Sequence, residues 1–190
     1  MIDNYTCEVN FEKIDFFETG IQKGEYDRCT FINCNFENVH ASNIEFVECE
    51  FVNCNFSNAN VKATAFKEVL FDHCKMIGIK FFECDSFLLQ FKFTNCQLDF
   101  SSFYQLKIPN THFTNCNLEE VDFTETQLQQ AVFDSCNLNK AIFDNTTIER
   151  ADLRTATNIQ INPENNKLKG AKFSKNNIVG LLYKYQISIE

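Results

Sequence analysis

Tryptophan is absent, methionine occurs twice, and only two prolines and five glycines interrupt 190 residues. So little proline and glycine excludes a collagen-like or proline-rich chain and leaves few residues that by themselves force a turn. No window approaches the run of about 18 apolar residues that a membrane-spanning helix needs. Nor do the first ten residues, MIDNYTCEVN, carry the basic and apolar stretches of an export signal, so a soluble cytoplasmic chain is expected. In that setting the ten cysteines read as reduced thiols rather than as a disulfide framework. Cations are also scarce. Residues 1–153 hold 24 acidic and 11 basic side chains, a charge of −13, while residues 154–190 hold 2 and 6, a charge of +4. An acidic body repels nucleic acid, so direct binding to DNA or RNA is not expected; what it can attract is a protein surface built to receive DNA.

What the chain has in excess is phenylalanine, 22 residues of it, at regular intervals. From Phe11 to Phe81 an apolar residue, large except at Ala41, falls at every fifth position, with a small or apolar companion two places before it. The hexapeptides FINCNF (31–36), FVNCNF (51–56), FDHCKM (71–76), FTNCQL (93–98), FTNCNL (113–118) and FDSCNL (133–138) begin 20, 20, 22, 20 and 20 residues apart. The unit is therefore five residues and the higher period twenty. A period of five suits neither an α-helix nor a flat strand. It suits an all-β coil of four short sides, each pentapeptide making one side and one corner. Residues twenty apart then stack at roughly 4.8 Å, and about seven coils make the rod. Phe11, Phe31, Phe51, Phe71, Phe93, Phe113, Phe133 and Leu153 form an inward spine, beside a column of cysteines and outward ladders of Asn33, Asn53, Asn95 and Asn35, Asn55, Asn117.

This reading divides the chain into an N-terminal cap (1–10), the repeat rod (11–153), and a linker with a C-terminal helix (154–190). The register slips at 82–87, where two extra residues enter, either as a bulge or as a small loop; Leu88 then opens the second register as an inward residue. Phe82, Phe87, Leu89 and Tyr104 crowd the slip, with Phe91 and Phe100 beside them, and form a candidate apolar contact belt. In the tail, Ser174 can cap a helix whose apolar positions are Ile178, Leu181, Leu182 and Tyr185. That helix either caps the coil or pairs two copies, with Gly180 letting two backbones approach, and residues 186–190 alternate like a strand.

No chemistry-bearing constellation emerges. The cysteines stand five or twenty apart and not at metal-binding spacing, His73 sits in an amide ladder, and His40 and His112 face solvent. No serine, cysteine or carboxylate has a base placed beside it, so no catalytic residue, metal, cofactor or small-molecule substrate is expected. The candidate partner contacts are acidic: Glu37, Glu45, Glu48, Glu50, Glu119, Glu120, Asp122 and Glu125. Between their two clusters, residues 61–110 hold five acidic and six basic side chains.

Segments such as AIFDN, AVFDS and ADLRT resemble the A(D/N)LXX signature of the pentapeptide-repeat family over nearly the whole chain. The resemblance implies a right-handed quadrilateral parallel β-helix. The ending GAKFSKNNIVGLLYKYQISI is similar to the quinolone-resistance (Qnr) and microcin B immunity branch. That branch implies a homodimer through the C-terminal helix and an acidic rod that imitates DNA toward gyrase or topoisomerase IV, protecting them from quinolones or a peptide toxin. The other expectation is a scaffold module that captures a partner on the apolar belt.

Overall fold

Each pentapeptide turns the chain through one corner because its last residue takes the left-handed conformation. Asn33, Asn53, Asn95 and Asn115 do so at φ 54–55°, and the same corner position recurs along the rod. A Cβ makes this region costly by roughly 1–2 kcal/mol, and asparagine is among the residues that tolerate it best. The asparagine of each NC pair is thus the corner, which the hexapeptide repeat encodes.

The computed structural model describes residues 4–188, and as far as Lys172 they form one continuous coil with four faces, named here by their inward residues Tyr26, Phe31, Phe36 and Ala41. On the Phe31 face the strands are β2 (Asn10–Glu12), β4 (Thr30–Ile32), β6 (Glu50–Val52), β8 (Val69–Asp72), β9 (Phe91–Thr94), β10 (His112–Thr114) and β11 (Val132–Asp134). They form a seven-stranded parallel sheet in register, so Phe11 to Phe133 spans about six turns. On the Tyr26 face, β1 (Tyr5–Cys7), β3 (Glu25–Asp27), β5 (Glu45–Val47) and β7 (Ala65–Lys67) form a four-stranded sheet. The other two faces are held by single bridges such as Asn35↔Asn55 and Ser102↔Asp122. A four-residue helix, α1 (Phe16–Thr19), replaces one corner of the first coil, its N-terminus capped by the Asp15 side chain.

The coil outruns the boundaries expected from sequence at both ends. Strand β1 pairs with β3 inside the segment expected as a cap. Bridges Asn137↔Thr157, Thr147↔Lys167 and Asp152↔Lys172 carry the ladder through the segment expected as a linker.

The spine rings stack at 4.7 Å for Phe11–Phe31 and 5.3 Å for Phe93–Phe113, nearly parallel, and meet rings of neighbouring faces edge-on, as in Phe36–Phe51 at 77°. Both arrangements are favourable for the ring quadrupole. The companion column works through hydrogen bonds as well as size. Cys54 donates its thiol to the Phe31 carbonyl at 3.3 Å, Cys74 to Phe51 and Cys136 to Phe113, and the buried Thr126 and Thr146 hydroxyls donate to Phe103 and Phe123 in the same way. Burial pushes the Cys49 thiol up to about 12.

The slip lies further along than 82–87. Asp85 still donates to the Thr64 carbonyl and Gln90 rejoins the ladder on Phe66, so residues 86–89 leave it as a short loop. Leu88 is exposed and left-handed, contrary to its expected inward place, because a corner conformation throws its side chain outward. Phe91, expected among the outward or oversized residues beside the slip, turns in and packs edge-on against Phe81 at 5.4 Å. It fills the space left where the loop supplies no inward residue.

The tail forms two 3₁₀ turns, Ile178–Leu181 and Tyr183–Tyr185, instead of one α-helix. The N-cap of the first turn is Asn177 and not the expected Ser174; Ser174 instead exchanges hydrogen bonds with Asn177 one turn earlier, while Asn177 Nδ2 also donates to the Leu153 and Ala156 carbonyls. Gly180 is buried against the chain's own Ile159: a Cβ there would lie 1.9 Å from the Ile159 carbonyl oxygen. The close backbone approach expected between two copies is therefore made within one. Residues 186–188 form no strand, and 189–190 lie outside the described residues.

Candidate partner-binding surface

The pleat and the corners distribute the eight acidic candidates around the rod. Glu37 and Glu119 share a column of the Phe36 face, and Glu120 stands at the corner next to it. Asp122 is on the Ala41 face, with Glu125 at its far corner. Glu45 belongs to the Tyr26 face, Glu48 to the corner after it, and Glu50 to the Phe31 face. They encircle the rod and do not line one stripe. Most are held by a neighbour one rung away: Asn55 donates to Glu37 at 2.9 Å, Asn139 to Glu119 at 2.7 Å, Ser102 to Asp122 at 3.1 Å and Gln105 to Glu125 at 2.7 Å. Lys67 neutralises Glu45 and Lys140 neutralises Glu120. These bonds fix the carboxylates in position.

At the N-terminal end the Tyr5 hydroxyl and Arg28 both donate to Asp27, and together they hold its carboxyl below the usual range. On the Phe36 face, burial raises the Asp99 carboxyl.

Of the apolar belt, Phe82 and Phe87 are exposed and Tyr104 is half-buried, its ring edge-on to Phe82 at 6.3 Å. Leu89 packs partly against the core and leaves the belt. Leu88 and Phe100 are exposed as well, both left-handed, Leu88 in the loop and Phe100 at the corner between the Phe36 and Ala41 faces. Nothing in FLL (87–89) separates the three residues by hydrophobicity, so sequence could not say which of them faces water. Beside the loop lies a groove of about 540 Å³ lined by Glu68, Leu70, Leu89, Lys92, Pro109 and His112. In the tail, Ile178, Leu182 and Tyr185 are exposed while Leu181 packs against the coil.

Among the described residues, no three His, Cys, Asp or Glu side chains converge on a common point, and no helix is long and apolar enough to cross a membrane.

The family model of the pentapeptide repeat region matches residues 25–103 and 88–182. The chain is a pentapeptide-repeat protein. No curated protein sequence matches it. Among solved structures, this pentapeptide-repeat rod is similar to a trypsin-treated form of QnrB1, described as a plasmid-mediated fluoroquinolone resistance protein. The match has a TM-score of 0.58 and 17% identity over 98% of this chain and 92% of that one. A second trypsin-treated form gives a TM-score of 0.50 at 17% identity, covering 98% of this chain and 100% of that one. At that identity the likeness is one of fold.

Proposed function

We propose that this pentapeptide-repeat protein binds the DNA-receiving surface of a type II topoisomerase, gyrase or topoisomerase IV, in place of DNA, and so protects the enzyme from quinolones or a peptide toxin. The observation that carries the proposal is a rod whose residues 1–153 carry a charge of −13 and whose carboxylates are fixed in place by neighbours one rung away. Fixed charges lose little freedom on binding, and complementary charge raises the encounter rate. The chain-long fold likeness to a fluoroquinolone resistance protein supports the same reading. Two copies joined by the exposed tail residues Ile178, Leu182 and Tyr185 make the active particle.

The test is supercoiling by purified gyrase with increasing amounts of this protein, with and without a fluoroquinolone, at two salt concentrations. Inhibition or rescue that fades with salt is expected; no effect at any concentration would remove the topoisomerase from the account.

A second reading, a scaffold module without a topoisomerase role, rests on the exposed Phe82, Phe87, Leu88 and Phe100. Under it, Phe87→Ser with Leu88→Ser abolishes partner capture, whereas a charge-driven complex stays nearly unchanged.

A further inference from the structure

Surface charges not consumed by internal pairs are sorted along one edge of the rod, the corner between the Tyr26 and Phe31 faces. Toward the N-terminal end, Arg28 is taken by Glu8 and Asp27 and Lys67 by Glu45, which leaves Glu48, Glu50 and Glu68 with no ion-pair partner among the described residues. Toward the C-terminal end, Asp152 is taken by Arg154, leaving Arg150, Lys169 and Lys172 likewise free. Apart from Lys92 on the fifth rung and Glu149 beside Arg150, unpaired carboxylates thus occupy the N-terminal half of the edge and unpaired cations the C-terminal half.

Their heights match. In the paired column from Asn10 to Lys172, Glu50 stands on the third rung, His112 on the sixth and Lys172 on the ninth. In the corner column from Glu8 to Gly170, Glu68 is fourth, Asn110 sixth and Arg150 eighth. Both pairs have the same midpoint.

We propose that this edge is a self-complementary interface on which a second copy of the chain docks side by side and antiparallel, about a two-fold axis at Asn110 and His112. Such an axis keeps each face on its own side and exchanges rung three with nine and four with eight. Glu50 then meets Lys172 of the second copy, Glu68 meets Arg150 and Glu48 meets Lys169, each contact made twice, as a two-fold interface requires. A parallel pairing would set carboxylate against carboxylate. At the axis lies the groove lined by Leu70, Leu89 and Pro109 together with Lys92, Asn110 and His112, a centre of mixed character with the charged pairs on either side of it. This edge is distinct from the tail contact and does not depend on the topoisomerase reading.

Sedimentation of the full chain tests it, run natively and with Leu182→Asp and Tyr185→Asp to remove any tail contact. In the tail variant a dimer is expected at about 50 mM salt, with an apparent Kd that rises roughly tenfold or more by about 500 mM. Adding Glu50→Lys with Glu68→Lys, or Arg150→Glu with Lys172→Glu, leaves monomers whose circular dichroism matches the parent. Mixing these two monomeric proteins restores a dimer, because each supplies the charge the other lacks. A monomer at low salt, a dimer indifferent to salt, or a mixture that stays monomeric would overturn the proposal.

Discussion

Asparagine at a corner and phenylalanine on the spine do different work, and single substitutions separate them. Asn53 is exposed with φ 54° and its side chain makes no hydrogen bond among the described residues, so its contribution is conformational. Asn53→Val should cost roughly 1–2 kcal/mol in urea unfolding and Asn53→Gly close to nothing. Phe51, fully buried between Phe31 and Phe71, should cost about 3–5 kcal/mol on truncation to alanine. Asp27 carries a pH signature. Because the folded protein holds its carboxyl below the ordinary value, its contribution is present above the usual carboxylate range and is lost as pH falls through it. Tm measured between about pH 6 and pH 2 should fall less steeply for Asp27→Asn than for the native chain. The inward phenylalanines were legible in the sequence because they recur at a fixed interval; the asparagines recur as well, but as an outward ladder, and their left-handed corner conformation is visible only in the structure. Asp27 was not legible, since its partners Tyr5 and Arg28 come from different rungs and obey no period.

At the level of elements, the loop at 86–89 shows where periodicity stops informing. A period states that an inward residue is due, yet it does not choose among Phe87, Leu88, Leu89 and Phe91, and the structure sends in Phe91. Phe91→Ala should therefore destabilise the rod by about 3–5 kcal/mol in urea unfolding, whereas Leu88→Gly should be neutral or slightly stabilising, since it relieves a left-handed leucine. The tail makes the same point. Helical spacing of Ile178, Leu181, Leu182 and Tyr185 was visible, but the backbone instead makes 3₁₀ turns, because Asn177 and Gly180 are tied to carbonyls and backbone of the last coil. Gly180→Val should release this segment: amides of 178–185 should exchange faster while the rod keeps its unfolding midpoint. Unchanged exchange would mean that the glycine contact does not hold the tail.

The whole molecule is a rod whose shape follows from a five-residue rule and whose surface charge does not. Any residue suits the outward positions, so the repeat places carboxylates at defined heights without prescribing which rungs receive them. That is why the fold could be read from the chain while the eight acidic candidates, two clusters in sequence and four faces in space, could not be ordered into a surface. The account of function rests on those fixed charges acting together on a partner shaped for DNA. Its most direct test is the affinity of this protein for purified gyrase measured across a salt series. A charge-driven complex predicts an association constant that falls steadily and steeply as salt rises, and falls again when Glu37, Glu119, Asp122 and Glu125 are replaced by glutamine or asparagine. An affinity that stays flat from low to high salt would contradict DNA mimicry even if the complex itself were real.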